Sequence, residues 1–207
     1  MTRLEGADAL TMRTLARELG VATMSLYRHV DSRETLLALM ADHALAEEAP
    51  PRRAGTGWRP RLERLLRLQW SGYERRPWLA TTISIARPQA LRNGVRHTDA
   101  VLEAVSELGF DAATTLRTGI ALVVYVRGMA SSPQQERQAE QDTGLDREEW
   151  MQARDPTFAP FLASMPTLAK LAAEPDVDMS LESLFECGFT ALLDGLLAQI
   201  QRRGSGR

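Results

Sequence analysis

The chain has 207 residues, 44% hydrophobic and 25% charged, with a formal net charge of -2. That is the make-up of a water-soluble globular protein, long enough for one domain or for a small domain beside a larger one. No run approaches 18 consecutive apolar residues, so no membrane-spanning helix is predicted. The opening Met1 to Gly6 reaches Glu5 before an apolar run can develop, which predicts no signal peptide and a cytoplasmic protein. Cys187 is the only cysteine; it excludes an intrachain disulfide and a thiolate metal cluster, and its apolar helical setting reads as a buried small hydrophobe. The net charge is no sign of nucleic-acid binding. Within residues 1–49 five arginines stand against eight acids, so any DNA affinity there must rest on where charge is placed.

Helical periodicity dominates and about nine helices are predicted. Only Ala121 to Val126 resembles a strand, and it lies inside a longer helical stretch. The first helix runs from Thr11 or Met12 to Leu19, with Thr11 as its N-cap. A second, Thr23 to His29, follows Gly20. A third begins after Asp31-Ser32 and reaches about Glu48, with Leu36, Leu37, Leu39, Met40 and Ala44 as its apolar face. Pro50 to Gly57 is the one convincing linker and divides the chain into domains 1–49 and 50–207. Trp58 to Tyr73 is the next helix, and Pro77 stops or restarts it. Another spans Thr98 to Leu108, with Thr98 or Asp99 as cap, before Gly109-Phe110-Asp111 closes one helix and opens the next. That next helix, Ala112 to Met129, is apolar nearly all round and must be covered on every side. Ser131 to Asp155 is polar and reads as a loop. The last helix starts after Asp178 or Ser180 and carries a broad stripe from Leu181 through Phe185, Phe189 and Leu193 to Ile200, with a frayed tail beyond Arg202.

Leu10 to Val30 carries the functional signal, because its parts fit a helix-turn-helix. Ala16 is small where two helices cross, and Gly20 supplies the positive φ of a tight turn. Leu15, Leu19, Val21 and Leu26 are expected to fill the core between the helices. Met24, Ser25, Tyr27 and Arg28 then face outward on the second helix, the one that enters the major groove in this motif. Thr11, with the free N-H groups near Met12 and Arg13, suits a phosphate, and Arg28 and Arg33 extend the basic strip. Arg28 offers a guanidinium fork to guanine O6 and N7, while Tyr27 and His29 suit phosphates. Glu18 and Asp42 are expected to face away from the groove. Two ordinary core helices around a glycine would give the same periodicity.

The string Ala9-Leu-Thr-Met-Arg-Thr-Leu-Ala-Arg-Glu-Leu-Gly-Val21, followed by Leu-Tyr-Arg-His-Val30 and Leu-Leu-Ala-Leu-Met40, closely resembles the DNA-binding domain of the tetracycline-repressor (TetR) family over about residues 5–45. The resemblance puts Met12, Arg13, Met24, Ser25, Tyr27, Arg28, His29 and Arg33 at the DNA surface. A weaker resemblance, to the regulatory domain of tetracycline repressors, runs from Arg87-Pro88 through Ala100 to Gly109-Phe110 and on to Gly128. It implies a homodimer whose helices near 112–129 and 180–201 form a four-helix bundle with their copies; their wide apolar surfaces suggest the same. The fold so implied is all-α, an N-terminal helix-turn-helix domain plus a C-terminal helical ligand-binding and dimerisation domain. The function implied is that of a regulator, a repressor released from a palindromic operator in double-stranded DNA by a small-molecule effector. Family members usually carry a full helix before the position of Glu5-Gly6. A ligand-binding or dimerisation protein that has lost DNA binding with that helix is therefore the alternative. Tetracycline repressors also place a magnesium-binding histidine four residues before the Arg-Pro pair, where this chain has Ile83. Neither tetracycline, magnesium nor another cofactor is expected.

An enzyme is not expected. His97 beside Asp99 lacks a nucleophile pattern, and His29, His43 and His97 are too scattered for metal ligation. Trp70, Tyr73, Trp78, Phe110, Tyr125, Phe158, Phe161, Met129 and Met165 line a ligand cavity between helices or are plain core. Of these, Trp70, Tyr73, Tyr125 and Met129 are candidate ligand contacts. Arg87 is a further candidate; like Arg127, it lies in or beside an apolar stretch and needs a partner.

Overall fold

The computed structural model describes residues 10–51, 57–83, 91–146 and 177–204, together with 149, 150, 153, 160, 161, 164–172 and 174. Among them are nine helices and no strand: α1 (Met12–Glu18), α2 (Thr23–Tyr27), α3 (Arg33–Glu47), α4 (Trp58–Arg75), α5 (Trp78–Thr82), α6 (Arg92–Ser106), α7 (Ala112–Thr143), α8 (Pro166–Ala172) and α9 (Leu181–Gly204). Three of the caps read from the sequence, Thr11, Ser32 and Asp111, are in place. The Thr11 side chain accepts from the Thr14 N-H at 3.0 Å, and Thr14 Oγ1 accepts from the Thr11 N-H at 3.0 Å. Ser32 does the same for Thr35 and Asp111 for Thr114, at 3.0 and 2.8 Å. Each satisfies an N-H that the first helical turn leaves without an internal partner.

The main core lies among α3, α4, α5, α6, α7 and α9. Leu62, Leu65, Leu66 and Trp70 of α4 meet Val101 and Val105 of α6, Leu122 and Val126 of α7, and Phe185, Phe189 and Leu193 of α9. Trp70 stacks on Phe185 with ring centroids 4.3 Å apart, and Phe185 on Phe189 at 5.4 Å. The Trp70 Nε1-H donates to Glu182 at 2.8 Å, so its polar edge is satisfied. Gly188 permits a close crossing: a Cβ there would collide with the Tyr125 hydroxyl, which donates to the Phe185 carbonyl at 2.9 Å.

Five sequence expectations change. The helix placed at Thr98 begins at Arg92, because its cap comes from elsewhere in the chain. Asp42 of α3 accepts the backbone N-H of Asn93, in the first turn of α6, at 2.7 Å. Its other oxygen and its carbonyl accept the Asn93 amide at 2.9 and 3.1 Å. The polar segment after Met129 is helical as far as Thr143, although Pro133 lies within it; its alanine, glutamine and glutamate content favours a solvated helix. Leu39 is exposed, and Cys187 is exposed too, since α9 turns its Phe185, Phe189 and Leu193 stripe inward and position 187 away. Finally, Leu181–Arg203 is long and apolar enough to cross a membrane by length and composition, although no 18 apolar residues are consecutive.

Part of the apolar surface left uncovered lies where the sequence demanded cover. Leu116 and Val124 on α7, and Leu184, Leu192 and Leu197 on α9, are exposed in the single chain. Ion pairs join the helices around the core: Arg67 with Glu186, Arg59 with Asp194 at 2.7 Å, and Arg75 with Glu48.

Asp42→Ala removes the α6 cap that α3 supplies. Stability should fall by about 0.5–2 kcal/mol, read as a lower urea midpoint. Amides at the start of α6 should also lose protection from hydrogen exchange.

Candidate nucleic-acid interface and cavity

At the N-terminal end, α1 and α2 are joined by a turn in which Gly20 has φ 65° and the Val21 N-H donates to the Ala16 carbonyl at 3.0 Å. A residue with a Cβ is strained in that conformation. The buried apolar residues here are Leu10, Met12 and Ala16, with Leu15 and Leu26 half-buried. Two expected core residues, Leu19 and Val21, are 59% and 44% exposed because they flank the turn instead of lying between the helices. Met12, assigned to the DNA surface, is also corrected: its side chain is 6% exposed and belongs to this small core.

The other predicted contact residues lie as follows. Met24 is 73% exposed, Tyr27, Arg28 and His29 are exposed, and Ser25 is half-buried. Arg28 Nη2 donates to Ser25 Oγ at 3.0 Å, which holds the guanidinium over α2. Thr11 and Arg13 are exposed at the start of α1, the Thr11 hydroxyl being used in the cap. Arg33 is half-buried, and its Nε donates to the Leu10 carbonyl at 2.7 Å, so part of this guanidinium serves the backbone entering α1. Asp42 faces α6, away from this surface, as expected.

Behind α3 lies a cavity of about 560 Å³, within the range that holds drug-sized ligands. Its walls are apolar: Leu91, Val95 and Leu102 of and before α6, and Leu116, Ile120 and Val123 of α7. Its polar groups are Gln69, Tyr73, His97, Thr98, Asp99 and Arg127. Gln69 and Tyr73 are one turn apart on α4 and both buried. Burial pushes the Tyr73 hydroxyl up to about 12, with the nearby Arg127 charge opposing it, so Tyr73 is a neutral donor at pH 7. Arg127 also donates to the Ile83 carbonyl.

His97 belongs to the cavity wall and to the α3–α6 junction together. Its Nε2 lies 3.2 Å from the Leu45 carbonyl, near the C-terminal end of α3, and a carbonyl only accepts, so Nε2 carries the proton. Burial lowers the His97 pKa below 6.5, with the Leu45 hydrogen bond opposing. The ring is therefore neutral at pH 7. Its place inside α6, not at a helix start, corrects the capping reading of His97-Thr98-Asp99.

Of the candidate ligand contacts, Tyr73 lines the cavity. Trp70 and Tyr125 do not: both stack on Phe185 with their polar ends tied to α9, and Met129 packs on the main core. Arg87 lies outside the described residues, as does Phe158. Gln69, His97 and the aliphatic faces of α6 and α7 were missed. Arg127, flagged as an arginine in an apolar stretch, was the legible signal.

Comparison with known proteins agrees with this layout. Residues 3–40 match the model of bacterial regulatory proteins of the tetR family, and residues 50–200 match the tetracyclin repressor-like C-terminal domain. The HTH-type transcriptional repressor DrrR1 of Streptomyces coeruleorubidus is 35% identical, over 97% of this chain and 74% of its own length. Crystal structures of the Streptomyces coelicolor TetR family protein ActR are similar as well. Its complex with actinorhodin has a TM-score of 0.71 at 27% identity, covering 95% of this chain and 90% of that one. Its complex with (S)-DNPA has a TM-score of 0.72 at 26% identity, covering 95% and 91%.

Because folding holds His97 neutral, the unfolded chain takes up its proton first as pH falls. Stability should therefore drop as pH falls from 6.5 toward the lower folded pKa, and level off below that. Urea midpoints between pH 8 and pH 5 should show a smaller slope in His97→Asn than in the parent chain.

Proposed function

This chain belongs to the TetR family of bacterial regulatory proteins, and from that premise we propose that it is a cytoplasmic, homodimeric repressor released from a palindromic operator by a small molecule. The observation that carries the proposal is the junction of α3 and α6, which through Asp42–Asn93 and Leu45–His97 ties α3, the helix that follows the solvent-facing α2, to the wall of an apolar cavity, while Arg33 of α3 holds the Leu10 carbonyl at the start of α1. The printed descriptions of DrrR1 as a repressor and of ActR with bound small molecules support the same reading. The alternative, a protein without DNA binding, is not favoured, because residues 3–40 match the family's N-terminal model and α2 presents an exposed face.

In this reading residues 1–49 form the DNA-binding domain and 50–207 the ligand-binding and dimerisation domain. Met24, Ser25 and Arg28 meet base edges in the major groove, with Arg28 on guanine. Thr11, Arg13, Tyr27 and His29 meet phosphates and set the register. Exposed Val124, Leu184, Leu192 and Leu197 pair with their copies, which covers α7 and α9 without a membrane. The two α2 helices then stand about 34–36 Å apart, one turn of DNA. Ligand in the cavity shifts α6, and α6 carries α3 and the reading head with it. A coupling of roughly 1–3 kcal/mol per site would weaken the operator complex several-fold to about a hundredfold. The role is regulatory, not enzymatic.

The test is fluorescence anisotropy on the DNA upstream of the chain's own gene and on random DNA. Arg28→Ala should lose about 1–3 kcal/mol on operator and little on random sequence. Arg13→Ala should weaken both and reduce the salt slope by about one ion. Equal losses on both DNAs for Arg28→Ala would refute its role. Leu192→Asp with Leu197→Asp should sediment as a monomer; an unchanged dimer would remove α9 from the interface.

A further inference from the structure

The polar groups of the cavity are not balanced in what they offer. Thr98 Oγ1 donates to the Gly94 carbonyl of its own helix at 3.3 Å, and the His97 Nε2-H is used by the Leu45 carbonyl. The Gln69 side chain, 6% exposed, has its Nε2 buried without a hydrogen-bond partner. A buried amide donor in that condition is rare, and a ligand oxygen is a partner that the neighbouring cavity can deliver. Beside it stand the Tyr73 hydroxyl, kept protonated by burial, and Arg127, the one permanent cation among the described lining residues. Among the described residues no carboxylate pairs with Arg127, and the lining's single acid, Asp99, is exposed. A half-buried guanidinium against aliphatic walls favours a counter-charge of its own.

We propose that the cavity takes an apolar molecule carrying one acidic oxygen group, a carboxylate or a phenolate, seated at Arg127 with Gln69 and Tyr73 as flanking neutral donors. This rests on the reading of the cavity as the effector site. The apolar walls hold the body of the molecule, and the three donors orient its charged end. A cation meets the same guanidinium repulsively and leaves the Gln69 donor unpaired.

Anthracene carboxylic acid, its methyl ester and anthracenemethylamine share one apolar body and differ in charge. Their binding to the full chain at pH 7.5, followed by probe fluorescence anisotropy, should rank acid above ester above amine. The acid should bind at least about tenfold tighter than the ester. Gln69→Leu and Arg127→Met should each weaken the acid more than the ester and so shrink that advantage. An ester equal to the acid, or an amine equal to or tighter than it, overturns the acidic-ligand inference and leaves the cavity as effector site. Binding of none of the three at millimolar concentration overturns the cavity assignment and the inference with it. The ranking on the parent chain decides the matter even if Arg127→Met does not fold.

Discussion

Asp42 closes the open end of α6, and His97 takes the Leu45 carbonyl near the C-terminal end of α3. Two helices thus cap one another through side chains at matched ends. Helix termini carry unsatisfied backbone groups and the partial charges of the helix dipole, so a carboxylate at an N-terminus and a donor at a C-terminus act in the favoured sense. Neither helix can shift along the other without breaking a capping bond. That constraint holds α3, the helix that follows α1 and α2, against a wall of the cavity.

The same junction brings the cavity into contact with α3. His97 has one face in the α3 contact and lines the cavity beside Gln69, Tyr73 and Leu45. Gly94, one turn earlier, packs so closely that a Cβ would sit 3.4 Å from Leu45 Cδ1. A ligand that displaces α6 therefore acts on α3 directly, through packed atoms and hydrogen bonds. Coupling of this kind needs two discrete arrangements of a rigid element, and a doubly capped helix pair is rigid enough to supply them.

The apolar surface has two destinations. Phe185, Phe189 and Leu193 on one side of α9 complete the core of the single chain, while Leu184, Leu192 and Leu197 on another side remain in solvent. A helix apolar on two sides needs two partners. The family to which the chain belongs is typically dimeric, and a second copy is the cover proposed for that side.

The sequence alone determined the elements whose signals are local. Thr11, Ser32 and Asp111 each cap a donor three residues ahead, Gly20 makes a turn that needs a positive φ, and the 3-4 spacing of α4 and α9 marks their buried faces; all were legible within a few positions. The outward placing of Met24, Tyr27 and Arg28 followed from the same periodicity, and the family from the wording of the motif. Only the tertiary structure decided that α6 starts at Arg92, since its capping carboxylate lies 51 residues away. It alone turned Met12 inward and Leu19 outward, because a five-residue α2 covers too little to bury both. The cavity was illegible for a related reason: an aromatic or aliphatic side chain at helical spacing faces a neighbour either way, and whether that neighbour leaves space is settled by how α4, α6 and α7 cross.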